Sequence, residues 1–141
     1  MFTLKEALNK VNVYRFEIFK GEVDENGKVQ KVKSVGSAYI RDGIHTYAIH
    51  LRMFLKDTFY LIKNMKAPVP EYVLLTREPS IKPTRKYFWN NVGEGRVLGD
   101  ENEGLIAIKF DLLDHTFYMK HEPFSVTEAD AIETEENEKI A

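Results

Sequence analysis

The sequence predicts a mainly β protein, a barrel or sandwich built from two related four-stranded antiparallel units, with one short N-terminal helix. Three observations predict this class. Apolar and polar side chains alternate with the two-residue period of a half-buried strand from Val13 onward. Asn-Gly at 26–27 and Asp-Gly at 42–43 are typical of hairpin turns. Residues 35–63 have a degraded copy at 92–120, and together these segments favour about seven to nine strands.

The composition fits one domain with a sizeable core and excludes cysteine chemistry. Of the 141 residues, 43% are hydrophobic and 12% are aromatic, and none is cysteine. Disulfides, thiolate zinc sites and a cysteine nucleophile are therefore excluded, and a secreted domain of this size often needs such staples. The first residues contain no apolar run of the length that a signal peptide or a membrane span requires, so we expect a cytoplasmic protein without a membrane partner.

Charge divides the chain into a mildly basic body and an acidic end. The net charge is −2, yet residues 126–141 carry six acids and one base, which leaves residues 1–125 at +3. We expect residues 1–125 to form a single β domain. Residues 126–141 are acidic and poor in aromatic side chains, and we expect them to be a disordered tail.

The N-terminal residues predict a short helix before the first strand. Thr3 and Glu6 match a capping box, and apolar residues follow at helical spacing, so residues 4–10 are predicted to be helical. Further along the chain we expect strands at 58–62, 72–76, 104–111 and 116–120, an extended segment at 86–89, and a glycine-rich acidic loop at 94–103.

The two glycine turns predict specific pairings. A type I′ turn makes a two-residue hairpin, and at the second turn this places Ala38 opposite Tyr47. Pairing through the first turn, followed by strict alternation of side chains, would instead place Tyr39 on the core face. We therefore expect a β-bulge at Gly36 that moves the following side chains to the opposite face. The predicted core face holds Ala38, Ile40, Tyr47 and Ile49, and the predicted outer face holds Ser37, Tyr39, Arg41, Thr46 and His50.

The two similar stretches predict an internal repeat. Val-Gly at 92–93 follows Val-Gly at 35–36 by 57 residues, and the same offset continues through the next strand. After one inserted residue, Thr-Phe-Tyr at 58–60 recurs at 116–118. Neither unit can bury its apolar face alone, so we expect the two to share one core. The predicted units are residues 14–63 and 72–121.

Patterns for catalysis, nucleotide binding and metal binding are missing from the sequence. Gly93, Gly95 and Gly99 form no phosphate loop, because no Gly-Lys-Ser/Thr follows them. The four histidines show no metal-ligand spacing. Asp57 and Asp114 are the best acid–base candidates, but each precedes a predicted strand, where aspartate is a favoured turn residue. We therefore expect a non-enzymatic protein with no cofactor and no metal.

Residues 82–91 are the most suggestive segment for function, because basic side chains are followed directly by three aromatic ones there. Bases of single-stranded nucleic acid stack on aromatic rings, while Lys and Arg neutralise the phosphates. An extended segment places Arg85, Tyr87 and Trp89 on one face, and the outer face of the second hairpin adds two side chains. The predicted nucleic-acid-binding residues are Tyr39, Arg41, Arg85, Lys86, Tyr87 and Trp89. The alternative interpretation is that the aromatic side chains belong to the core.

A compact β domain followed by an acidic tail resembles, in outline rather than in any motif, the single-stranded-DNA-binding proteins of phages and bacteria. Such a tail can occupy a basic surface until nucleic acid displaces it. Our leading expectation is a small, non-enzymatic β protein that binds single-stranded nucleic acid through a basic and aromatic surface. The alternative is a protein-interaction or assembly module, a homo-oligomer joined through exposed sheet edges.

Overall fold

One antiparallel sheet of nine strands makes up the computed structural model, which describes residues 10–84 and 86–130. The mainly β class is confirmed, and the only helix in the described residues is a 3-10 turn at Asp100–Asn102. The strands are β1 (Lys10–Val23), β2 (Val29–Arg41), β3 (Thr46–Leu51), β4 (Phe59–Lys63), β5 (Tyr72–Pro79), β6 (Tyr87–Val97), β7 (Ile106–Phe110), β8 (Thr116–Met119) and β9 (Ser125–Asp130).

The order of pairing brings the sheet back to its first strand. Each strand from β2 to β8 pairs with the next, β8 pairs with the middle of β1, and β1 pairs with β2. The inner face of this closed sheet holds the main core, because alternate side chains of each strand point inward. Burial of each large apolar side chain contributes roughly 1.5–3 kcal/mol. The largest fully buried side chains are Ile18, Ile49, Leu61, Leu74, Ile108 and Met119.

The first hairpin uses a different turn from the predicted one. Its loop spans three residues, because the amide of Asp24 donates to the carbonyl of Lys28 at 2.9 Å, and only Gly27 has a positive φ, 77°. This geometry is a type I turn followed by a left-handed glycine. The Asp24 carboxylate accepts hydrogen bonds from the side chain of Gln30 and from the amides of Lys28 and Asn26, and these bonds hold its pKa below the ordinary value.

The second hairpin keeps the predicted faces but not the predicted register. Ala38 pairs with Ile49 rather than with Tyr47, because the chain makes a longer turn in which Gly43 has a φ of 82°. The register shift is two residues, so each side chain stays on its predicted face. Ala38 and Ile49 are accordingly buried in the core, and Tyr39 points outward.

A β-bulge next to Gly36 confirms the predicted change of face. Ile18 of β1 pairs with Gly36, but the following residue of β1 pairs with Ser34, which leaves Val35 as the extra residue. Gly36 is required by space, because a Cβ there would overlap a backbone oxygen of β3. The bulge therefore forms where no side chain keeps β2 and β3 apart.

A second bulge of the same kind lies in β6. The register shifts after the pair of Leu74 with Gly93, which leaves Val92 as the extra residue. A Cβ on Gly93 would overlap the backbone oxygen of Lys109 in β7. The loop predicted at 94–103 is wrong in its first four residues, which continue β6, because the glycines there allow close approach of neighbouring strands.

Beyond its bulge, the β1–β2 pair extends as a ribbon that packs on the outer face of β8. In this first ribbon (residues 19–33), the ring of Phe19 stacks on that of Tyr118 with centroids 5.7 Å apart. Asn102 fastens the tip of the ribbon, because its side-chain oxygen accepts a hydrogen bond from the amide of Val29 at 2.7 Å. The ribbon is thus held against the sheet at both its base and its tip.

Two predicted segments at the ends of the domain lie only partly within the described residues. The tail predicted at 126–141 begins inside β9, which pairs with the part of β1 that extends beyond β8. Arg15 of β1 also donates a hydrogen bond to Thr127 at 2.7 Å. The later part of that tail lies outside the described residues. The helix predicted at 4–10 also lies outside them, except for its last residue, which begins β1.

Candidate nucleic-acid interface

Most of the predicted site lies in residues 76–90, which comprise the end of β5, the start of β6 and the connection between them. We call this segment the second ribbon. Strand alternation sets its faces. Leu74 is buried in the core, so Arg77, three residues later, points outward beside its pairing partner Trp89. Tyr87 lies two residues from Trp89 and therefore shares that outer face. One surface of the ribbon thus combines an arginine with two aromatic rings.

Arg77 is the centre of this surface. Its guanidinium carbon lies 4.1 Å from the ring centroid of Tyr87, 4.9 Å from that of Tyr60 in β4 and 5.7 Å from that of Trp89. Tyr60 and Trp89 also meet edge to face, with centroids 5.3 Å apart. A cation over an aromatic face gains about 0.5–2 kcal/mol, so these contacts fix the guanidinium in place. We call these four residues the aromatic–arginine cluster.

The cluster attaches the second ribbon to the sheet. Tyr60 lies on the outer face but is only 3% exposed, because the ribbon packs over it. The indole nitrogen of Trp89 is buried and makes no hydrogen bond with any described residue, although its ring is half-buried overall, as is that of Tyr87. Tyr60 and part of the Trp89 ring are therefore packed as in a core. Part of the Trp89 ring and part of the Tyr87 ring remain at the surface.

Two lysines place positive charge at the tip of the second ribbon. The Nζ atom of Lys86 lies 5.6 Å from the ring centroid of Tyr87, and the Nζ atom of Lys82 lies 5.9 Å from that of Phe88. Both lysines are exposed. Since neither is ion-paired to a carboxylate within the described part of the chain, both charges are accessible to an anion in solution.

Tyr39 lies on the same outer face, two strands from the cluster. It pairs with Ala48, which pairs in turn with Tyr60, so the three residues form an outward row across β2, β3 and β4. The ring of Tyr39 stacks almost parallel to that of His50, with centroids 5.4 Å apart and planes 7° apart. Partial burial lowers the pKa of His50, so this imidazole is neutral at pH 7.

The structure brings together only some of the predicted site residues. Tyr39 is separated from the cluster by Ala48. Arg41 lies in a covered part of the outer face, because it is 5% exposed and its pairing partner Val13 is 4% exposed. Arg85 lies outside the described residues. The residues that do lie together are Lys86, Tyr87 and Trp89.

Two members of the cluster, Arg77 and Tyr60, were missed from the sequence. Arg77 follows the strand predicted at 72–76, and one more residue of strand would have placed it on the outer face. Tyr60 lies in a run of apolar residues in which alternation alone does not distinguish the outer from the inner face. Their proximity depends on the pairing of β4 with β5 and of β5 with β6.

A groove of about 540 Å³ opens on the outer face beside the Tyr39–His50 stack. Glu17, Ser37 and His50 pair across β1, β2 and β3 and form its floor. Arg52 lies at the edge of the groove.

The described residues hold no ready-made metal site. Within residues 10–84 and 86–130, no group of three or more His, Asp or Glu side chains is arranged to hold a metal ion. Across the same two segments, no helix combines the length and apolar character needed to cross a membrane. No protein-family model, curated protein or solved structure matches this chain.

Proposed function

We propose that the protein binds single-stranded nucleic acid through the second ribbon, with little preference for sequence. The observation that carries this proposal is the aromatic–arginine cluster with Lys82 and Lys86 beside it, since accessible positive charge lies next to partly exposed rings. Stacking on an aromatic ring contributes about 1–3 kcal/mol per base and tolerates any base. Each lysine that neutralises a phosphate adds affinity by releasing counterions.

Each residue of this surface has a distinct part in the proposed binding. Tyr87 stacks against a base, and Lys86 binds a phosphate next to that base. Arg77 supplies a further positive charge whose position is fixed by three rings. Trp89 and Tyr60 hold the ribbon on the sheet, so that the binding side chains are arranged before the nucleic acid arrives.

A fluorescence titration tests the proposal, because Trp89 is the only tryptophan of the chain. Oligo-dT at low salt is expected to quench its emission and to be retarded in a native gel. Tyr87→Ala is expected to weaken binding about 5- to 150-fold, which corresponds to the loss of one stacked base. Lys109→Ala, at an exposed position of β7, is the control and should keep the affinity. Unchanged emission and mobility with the natural sequence would contradict the proposal.

We infer also that the closed sheet is a barrel of two related four-stranded units, β1–β4 and β5–β8. The pairing registers support this inference. Gly36 pairs with Leu51 and Gly93 pairs with Phe110, and a bulged valine precedes each glycine. The residue after each of these partners donates its amide to the carbonyl of the bulged valine, at 2.9 Å in both cases. Leu51 and Phe110 then correspond at an offset of 59 residues rather than the predicted 57.

A further inference from the structure

The groove beside the Tyr39–His50 stack has two apolar walls and a polar floor. Leu55 is 84% exposed and Phe124 is 63% exposed, and both line the groove. The floor is formed by Glu17, by the hydroxyl group of Ser37 in β2 and by the imidazole of His50 in β3. Exposed apolar side chains that flank polar groups are typical of a surface that binds a partly apolar ligand.

The charges around this groove favour an anion. Arg52 is exposed and forms no ion pair with any other described residue. Glu17 is the one carboxylate that lines the groove. Its charge is neutralised by two lysines, because its Oε1 atom lies 2.7 Å from Nζ of Lys31 and 3.8 Å from Nζ of Lys120. One carboxylate therefore faces three cationic side chains, and the excess positive charge is complementary to phosphate.

The groove and the second ribbon lie on the same outer face of the sheet. The row of Tyr39, Ala48 and Tyr60 runs from the edge of the groove to the aromatic–arginine cluster. Within this row Tyr39 is half-buried, whereas Ala48 is 2% exposed and Tyr60 is 3% exposed. Neighbouring strands are about 4.8 Å apart, so β2 and β6 are separated by roughly 19 Å across the sheet.

We propose that this groove is a second subsite for the nucleic acid that binds the ribbon, so that one strand crosses the outer face from β6 to β2. The Tyr39–His50 stack supports a base, Arg52 binds a phosphate, and Phe124 borders the next base. This inference rests on the proposed function. It adds Arg52, outside the predicted site, as a phosphate contact.

Oligonucleotide length separates the two subsites. Oligo-dT of about two nucleotides is too short to span roughly 19 Å even when the strand is extended, whereas about twelve nucleotides span it. Arg52→Ala and Tyr39→Ala are each expected to weaken binding of the longer oligonucleotide about tenfold. Neither change should alter binding of the shorter one at the ribbon. Tyr87→Ala should weaken both.

Two further variants control for charge and for folding. Arg96→Ala removes an arginine that pairs with Glu94 at 3.0 Å, outside the proposed path, and should leave both affinities unchanged. Arg52→Lys keeps the charge and should keep most of the affinity for the longer oligonucleotide. Comparison of the thermal unfolding of each variant with that of the natural sequence separates loss of binding from loss of folding.

The possible results distinguish the subsite from the ribbon. If Arg52→Ala and Tyr39→Ala bind the longer oligonucleotide as tightly as the natural sequence, the second subsite is wrong while the ribbon stands. A longer oligonucleotide that binds no more tightly than the shorter one leads to the same conclusion. If neither oligonucleotide binds the natural sequence, the proposed function fails, and the subsite fails with it.

Discussion

At the scale of the residue, side-chain size rather than polarity determines the path of two strands. Gly36 was predicted to lie at a bulge because alternation was out of phase on its two sides, and that conflict was visible in the sequence. The burial of Arg41 was not visible, because an outward position on a strand predicts exposure only where nothing covers the strand. Which part of the outer face is covered depends on distant segments.

Replacing either bulge glycine should destabilise the fold by a similar amount. Gly36→Ala and Gly93→Ala each place a Cβ on a backbone oxygen of the neighbouring strand, which cannot move without disturbing the sheet. We expect each to lower the free energy of unfolding by about 1–3 kcal/mol, as overpacking does. Chemical denaturation monitored by Trp89 fluorescence measures the effect.

Gly99→Ala is the matched control for these variants. A Cβ at Gly99 would meet only the flexible side chain of Glu101, so we expect a change within about 0.5 kcal/mol. Equal stability of all three variants and the natural sequence would show that the two bulges tolerate a side chain. A large effect at only one of Gly36 and Gly93 would weaken the inferred correspondence of the two units.

At the scale of the element, the positions of strands and turns were more predictable than the turn types. The Asn-Gly pair predicted the first hairpin correctly, but its turn has three residues because two backbone amides and the Gln30 side chain donate hydrogen bonds to the Asp24 carboxylate and fix the loop. The first ribbon is held by Asn102, which is 73 residues from Val29 in the sequence. No local pattern encodes a contact of that separation.

We expect the hydrogen bonds of Asn102 to stabilise the packing of the first ribbon against the sheet. Its side chain is 8% exposed, accepts a hydrogen bond from Val29 and donates one to the carbonyl of Gly27 at 3.0 Å. Asn102→Ala leaves both backbone groups without this partner, so we expect a loss of about 1–3 kcal/mol and faster hydrogen exchange at the Val29 amide. Asn90→Ala, at an exposed position of β6, is the control and should change neither the stability nor the exchange rate. Unchanged slow exchange at the Val29 amide in Asn102→Ala would contradict this role of Asn102.

At the scale of the whole molecule, the sequence predicted the class of fold but did not decide between a barrel and a sandwich. Alternation and turn residues are local signals, whereas closure depends on the pairing of Ile18 with Met119, which lie 101 residues apart. The same limit applies to the site. Lys86, Tyr87 and Trp89 were predicted because they are adjacent in sequence, while Arg77 and Tyr60 join them only through strand pairing. The interaction-module alternative stays a prediction.

The salt dependence of oligo-dT binding by the full chain tests the central claim most directly. If the second ribbon binds the phosphate backbone, the logarithm of the affinity falls linearly with the logarithm of the salt concentration. Lys86→Ala should reduce that slope by about 0.7, the value for one phosphate contact to a single strand, while Lys109→Ala should leave it unchanged. Affinity that does not depend on salt, or a slope that Lys86→Ala leaves intact, would contradict the account.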